Sequence, residues 1–258
     1  MKHIGILAHS SEGSALCYLT ICHEGARRLG PHLHPDVTMS FTAMGASMGA
    51  WESGDLGQIR ATLAHTVVRL KAAGADFFVC PDNTAHIALE ADGKPLALPG
   101  LHIAEIVADE AMAKGYRAVG LLGTAWTMDG PVYRTAFARR GLGLQVPQAD
   151  DRALVHRVIF DQLCNGIFDD GARNDYVRII AQLRDCGCDA VILGCTEIPL
   201  LVTPGVSPLP TLDSTRLLAV AAVEAAIGER HQPDWRGGPV PAPNNRPRNA
   251  LSPAPRLG

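Results

Sequence analysis

The stretch Gly74-Ala75-Asp76-Phe77-Phe78-Val79-Cys80-Pro81-Asp82-Asn83-Thr84-Ala85-His86 has a counterpart further along the chain, Gly187-Cys188-Asp189-Ala190-Val191-Ile192-Leu193-Gly194-Cys195-Thr196-Glu197-Ile198-Pro199. Both are assembled the same way. A segment of helical period comes first (Val67 and Leu70; Ile180 and Leu183), then a Gly-x-Asp turn, a continuous apolar run, and polar residues suited to opening a helix. Asp76 precedes Asp82 by six residues, and Asp189 precedes Cys195 by six. An apolar run too short for a helix and bounded by turn signals reads as a buried parallel strand. Asp82 and Cys195 therefore fall just past the C-terminal ends of two strands, the edge at which open α/β sheets bind ligands.

A duplicated βα unit predicts an α/β protein of two similar parallel-sheet domains, related by a pseudo-two-fold and facing each other across a cleft. The expected division is residues 1–99 plus 209–228 for the first domain and 100–208 for the second. From about residue 229 the composition turns to Pro, Arg, Asn and Gly. Such a segment buries too little apolar surface to offset its ordering cost, so 229–258 is expected to be a mobile tail without catalytic parts.

The 258 residues suffice for one large α/β domain or two small ones. A net charge of −3 gives no electrostatic case for nucleic acid or membrane surfaces. No apolar run reaches the roughly 18 residues of a membrane span. Only Ile4 to Ala8 follow Met-Lys-His, too short a run for a signal peptide. A soluble, cytoplasmic protein is the expectation. Seven cysteines are an odd number for a disulfide framework. Cys186-x-Cys188 has the wrong spacing for a zinc ribbon, so no metal is expected. Neither a Gly-x-Gly-x-x-Gly nor a Gly-x4-Gly-Lys-Ser/Thr motif follows any predicted strand, which disfavours a nucleotide fold.

Around the paired stretches, strands are predicted at Ile4–Ala8, Asp36–Ala43, Ala118–Leu122, Gln145–Val146 and Ala190–Leu193. Helices are expected up to Leu29 and over Gly57–Ala73, Asn83–Ala91, Ile103–Lys114, Tyr133–Arg140 and Thr215–Ile227, with two more within 154–184. The loop His9-Ser10-Ser11-Glu12-Gly13-Ser14 offers hydroxyls and backbone donors for a carboxylate or phosphate, or a simple serine N-cap. Gly123-Thr124-Ala125-Trp126-Thr127 again places hydroxyls at a strand end. His86, alone on a short helix, reads as structural.

If the halves face each other, Asp82 and Cys195 approach one substrate from opposite sides, the geometry for moving a proton across a carbon. One group takes the proton and the other, already protonated, supplies one to the opposite face. A thiol at a helix N-terminus is expected to fall below its usual pKa of about 8.5. A carboxyl starts near 3.9 and would be raised by burial or by a substrate carboxylate. That gap of about 4.6 units, roughly 6 kcal/mol, predicts unequal machinery for the two directions of transfer.

Cys80-Pro81-Asp82-Asn83-Thr84-Ala85-His86 resembles the first signature of the aspartate/glutamate racemase family, and Gly194-Cys195-Thr196-Glu197-Ile198-Pro199 resembles the second. Leu121-Leu122-Gly123-Thr124-x-x-Thr127-Met128 is also similar, and the resemblance spans about residues 1–228. It implies a cofactor-independent amino-acid racemase or relative with its site between two α/β domains, working on a small carboxylate, often as a homodimer. It makes Cys195 one acid/base and places Ser10, Asn83, Thr84, Thr124, Thr196 and Glu197 around the substrate. The chain departs from the family where Asp82 stands in place of the first signature cysteine, and where Leu218 stands in place of a frequent His. Cys80 lies about 6.6 Å too early on its strand to substitute and reads as a core thiol. Residues 38–53 hold no Arg or Lys for a second substrate carboxylate. Met44, Met48 and Trp51 there suggest a more apolar or larger substrate side chain, or are core.

The reading is an isomerase that uses Asp82 and Cys195 as opposing acid/base groups. Two alternatives stand beside it. One is a lyase in which Cys195 alone protonates a carbanion left by decarboxylation, and the other is a non-catalytic protein that binds a small carboxylate.

Overall fold

The computed structural model describes residues 1–240. In the first half the chain runs through β1 (Ile4–Ala8), α1 (Ser11–Leu29), β2 (Val37–Phe41), α2 (Met48–Ser53), α3 (Leu56–Ala72), β3 (Phe77–Val79), α4 (Ala85–Leu89), β4 (Gly100–Leu101) and α5 (Ile103–Ala113). It continues through β5 (Ala118–Leu122), α6 (Ala125–Asp129), α7 (Pro131–Ala138), β6 (Gly143–Gln145), α8 (Ala149–Asp161) and α9 (Asp170–Asp185). β7 (Ala190–Leu193), α10 (Ile198–Leu201), β8 (Thr211–Asp213) and α11 (Ser214–Ile227) complete it. The strands form two four-stranded parallel sheets, in the orders β2-β1-β3-β4 and β6-β5-β7-β8. One order is the other repeated, as the duplicated pattern requires.

The Gly-x-Asp turns explain why the two strands enter their sheets alike. Gly74 and Gly187 take left-handed φ values of 91° and 93°, which L side chains avoid. The Asp two residues on then clamps the neighbouring strand. Asp76 Oδ2 accepts the His3 backbone N–H at 2.8 Å before β1, and Asp189 Oδ2 accepts that of Arg117 at 2.7 Å before β5. The strands that follow, Phe77–Val79 and Ala190–Leu193, are buried throughout, as a parallel strand covered on both faces must be.

Three cores hold the layers together. Leu7, Phe78 and Cys80 pack with Leu63, Val67 and Leu70 of α3. The other face of the first sheet, Ile4, Ile6 and Phe77, packs under α1 and under Leu218, Ala222 and Val223 of α11. The second sheet has its own core, with Tyr133, Phe137, Tyr176 and Ile180 among the side chains covering it. α5 joins the two, since Ile103 and Ile106 belong to the α11 core while Ala104, Val107 and Ala108 belong to the second. Among the described residues no helix is long and apolar enough to cross a membrane.

Strand membership differs at two edges from the division expected at 99/100 and 208/209. β4 at residues 100–101 is the edge strand of the first sheet, and β8 at 211–213 is the edge strand of the second. What returns to the first half is α11. The expected tail also needs correcting where it is described. Trp235 forms an antiparallel bridge with Gly100, and its backbone oxygen accepts Gly100 N–H at 2.7 Å. Its indole stacks on His86 at 5.9 Å and meets His102 edge-on at 4.8 Å. The Trp235 ring thus anchors this segment together with backbone bonds from Leu96 N–H to the Arg236 carbonyl and from Gly238 N–H to the Leu89 carbonyl, both 2.8 Å, and 241–258 lie outside the described residues. Trp235→Ala is expected to cost about 2 kcal/mol, less than the 3–5 of a fully buried tryptophan. Differential scanning calorimetry should then find Tm lowered by about 4–8 °C.

Candidate active site

β1, β3, β5 and β7 deliver their C-terminal ends to one cleft between the halves. Ser10, Asp82, Asn83, Thr84, Thr124, Cys195, Thr196 and Glu197 all line it, together with Met44, Ile159, Phe160 and Cys164. Its free volume is about 30 Å³, room for one or two waters. Behind it, Trp51 of α2 and Trp126 of α6 meet at 5.7 Å between ring centres.

Asp82 is buried, and its carboxylate has two donors. His9 Nδ1 lies 2.7 Å from Oδ2, and the Ala85 N–H donates to Oδ1 at 3.2 Å. Burial pushes this carboxyl up. The His9 hydrogen bond and charge and the Ala85 N–H more than offset that, leaving it below its ordinary value. Sequence reasoning expected a raised carboxyl because it did not place His9 here.

Cys195 differs from expectation in the opposite sense. Its Sγ donates to Glu197 Oε2 at 2.9 Å. Burial, and then the Glu197 carboxylate, push the thiol well above its ordinary range. The expected fall at a helix N-terminus is absent because burial first, and then the acid beside the sulfur, act the other way. Glu197 is itself pushed up, by burial first. At neutral pH the cleft thus presents an ionised Asp82 and a protonated Cys195.

Hydroxyls surround this pair. Thr84 Oγ1 lies 2.9 Å from both Thr124 Oγ1 and Thr127 Oγ1, joining β3 to β5 across the cleft. Ser10 stands at the N-cap of α1 without a side-chain capping bond, and its Oγ faces Thr196 Oγ1 at 3.2 Å instead. This contact needs Gly13, where a Cβ would come within 2.2 Å of the Thr196 side chain. Asn83 is half committed elsewhere, accepting from Tyr133 at 2.6 Å and donating to Ser214 at 3.0 Å. His86 is a buried tie that donates from Nδ1 to the Asp82 carbonyl at 3.0 Å and accepts the Ile103 N–H at 3.3 Å. Burial lowers it to about 3, so it stays neutral. Cys80 is a buried core thiol, as expected. Of the residues expected to shape a substrate side chain, Met44 lines the cleft, whereas Trp51 belongs to the core behind it. Sequence reasoning did not find His9, Ile159, Phe160 or Cys164.

A chain of two parallel four-stranded α/β sheets whose strand ends meet at one cleft has the architecture of a racemase-type enzyme. Over residues 6–222 the chain matches the Asp/Glu/Hydantoin racemase family and belongs to it. It is 24% identical over 180 residues to the broad specificity amino-acid racemase RacX of Bacillus subtilis, covering 67% of this chain and 74% of that one. With the glutamate racemase of Roseiflexus it shares 29% identity over 175 residues, covering 67% of this chain and 62% of the relative. The crystal structure of an aspartate racemase homologue from Pyrococcus horikoshii superposes with a TM-score of 0.75 at 26% identity, covering 88% of this chain and all of that one.

Proposed function

We propose that this enzyme interconverts the enantiomers or epimers of an amino acid that has an uncharged side chain, with Asp82 and Cys195 as its opposing acid/base groups. The observation that carries this reading is the pairing of a carboxylate held ionised with a thiol held protonated in one cleft. Asp82 removes the α-proton from one face and Cys195 donates to the other. Thr84, Thr124, Thr196 and Ser10 supply hydroxyls to the substrate carboxylate, whose charge grows as the α-carbon loses its proton. The carboxylates of Asp82 and Glu197 suit an α-ammonium group.

The side chain is read from the rest of the lining. Met44, Ile159 and Phe160 are apolar, and no Lys or Arg lines the cleft among the described residues. A second substrate carboxylate would meet Asp82 and Glu197 without a cation, a like-charge juxtaposition worth several kcal/mol. Similarity to a broad specificity racemase supports this reading.

The test is incubation of the purified protein in deuterated water with single enantiomers of alanine, leucine, methionine, phenylalanine, aspartate and glutamate. The α-proton should wash out and the enantiomer invert for an uncharged member, with the two acids turned over slowest. Absence of exchange throughout the panel refutes the racemase reading.

The protonated Cys195 also favours a second reading, in which it quenches a carbanion formed by loss of carbon dioxide from a malonate-like acid. An ionised Asp82 beside a dianion opposes it, and carbon dioxide release would distinguish the two. Homodimeric assembly and a cytoplasmic setting accompany the proposal, and sedimentation velocity reads the first.

A further inference from the structure

We propose that His9 is a positioning residue that fixes the orientation and ionisation of Asp82, so that the two side chains act as one dyad. The inference deepens the racemase reading and rests on it for its catalytic consequence, but not for its physical one.

The dyad is a product of strand register. β1 and β3 pair with Ile6 opposite Val79, and His9 and Asp82 each lie three residues further on. In the other half β5 and β7 pair with Leu121 opposite Ile192, and three residues further on lie Thr124 and Cys195. The duplication thus sets a partner beside each acid/base group at the same place on each sheet. In the first half that partner is an imidazole 2.7 Å from the carboxylate, with the His9 side chain fully buried and that of Asp82 nearly so. His9 does not line the cleft, so it acts through Asp82 rather than on substrate. Its Nε2 is buried without a hydrogen-bond partner among the described residues, which leaves Asp82 as the ring's one polar tie. An ionised carboxylate only accepts, so the shared hydrogen belongs to Nδ1.

The other groups facing Asp82 cannot take over this role. His86 from α4 is held neutral by burial and is bonded to the Asp82 carbonyl rather than to its carboxylate. The Cys80 thiol, at the end of β3, points at the same carbonyl. Glu197 and Cys164 bear on Asp82 from across the cleft, and their negative forms would oppose its ionisation. The Ala85 N–H is the second donor, at the longer distance of 3.2 Å. His9 is therefore the group whose removal strands the carboxylate.

The experiment follows the carboxyl carbon of Asp82 by NMR in protein labelled at aspartate Cγ, with D82N assigning the signal. In His9→Leu its midpoint should rise by about one to two pH units, the size of a charge-assisted hydrogen bond. His9→Asn, whose amide can donate from the place of Nδ1, should recover about half of that rise. If the substrate panel gives turnover, the acid limb of kcat/KM should move by the same amount in His9→Leu. The loss would then grow as pH falls, towards about ten- to hundredfold below the wild-type midpoint, and be small at pH 8, whereas a merely structural defect would lower the rate equally at both. An Asp82 midpoint unchanged in His9→Leu overturns the proposal. Should that variant not fold, His9→Asn is compared with His9→Gln, whose longer amide misses the place of Nδ1, and equal midpoints in those two overturn it. The titration needs no turnover, so a moved midpoint in a protein without exchange activity sinks the racemase reading and leaves the dyad standing.

Discussion

Replacing Cys195 by alanine is expected to slow enantiomer interconversion by roughly 10²–10⁴-fold, the contribution of one positioned acid or base. One enantiomer should nonetheless continue to exchange its α-proton with solvent. Asp82 is ionised without help from the thiol, because His9 and the Ala85 N–H hold it below its usual range against the opposing effect of burial. It can still take a proton from the enantiomer that faces it and return a solvent deuteron to the same face. Inversion needs a donor on the far side, and alanine supplies none. The measurement is proton NMR of both enantiomers in deuterated water with chiral chromatography of the products. Inversion at the wild-type rate, or equal exchange of both enantiomers, would refute the assignment. In the wild-type enzyme the same thiol sets the alkaline limit. A donor must carry its proton, so activity is lost as pH rises through the Cys195 pKa. Burial and Glu197 place that point well above the ordinary thiol range.

The skeleton of this site was legible because a local pattern occurs twice. Gly-x-Asp, an apolar run and a polar helix opening located β3 and β7, and with them Asp82 and Cys195, because the same features recur at the same spacing in both halves. The left-handed glycine is local chemistry, whereas the aspartate is recognisable by its spacing although the backbone it clamps lies 73 and 72 residues away. β4 and β8 were not legible, being two and three residues long and existing only through pairing with β3 and β7. Trp235 was hidden by its neighbours, since a Pro- and Arg-rich segment masks one aromatic that docks on His86. The ionisation states were misread for the same physical reason. A pKa is set by what lies across space, and neither His9 beside Asp82 nor Glu197 turned back on Cys195 could be seen in the strand pattern. His9 did leave a signal, because aligning the two halves makes it the counterpart of Thr124, which the Gly-Thr loop had already singled out. Ile159 and Phe160 left none, since on α8 they look like any apolar stripe of a helix packed on a sheet.

Asp82→Asn should be comparably damaging, by about 10²–10⁴-fold in interconversion, but with the opposite residual signature. The amide has the size of the carboxylate and can still accept the Ala85 N–H, so the fold is retained while the base is lost. Cys195 is then the sole acid/base, and it removes a proton only as a thiolate. Burial and Glu197 make that form scarce at neutral pH. Exchange should therefore survive only for the enantiomer that Cys195→Ala leaves inert, at a rate that climbs tenfold per pH unit until the thiol ionises. Because the equilibrium constant of racemisation is one, kcat/KM in the wild-type enzyme must be equal for the two enantiomers. The unequal resting states of Asp82 and Cys195 can then appear only as matched differences in kcat and KM, and the single variants are what expose them. Deuterium incorporation into each enantiomer, followed from pH 6 to 10 in both variants, reads this directly. If the asparagine variant exchanges the same enantiomer as the alanine variant, Asp82 and Cys195 do not address opposite faces of one carbon.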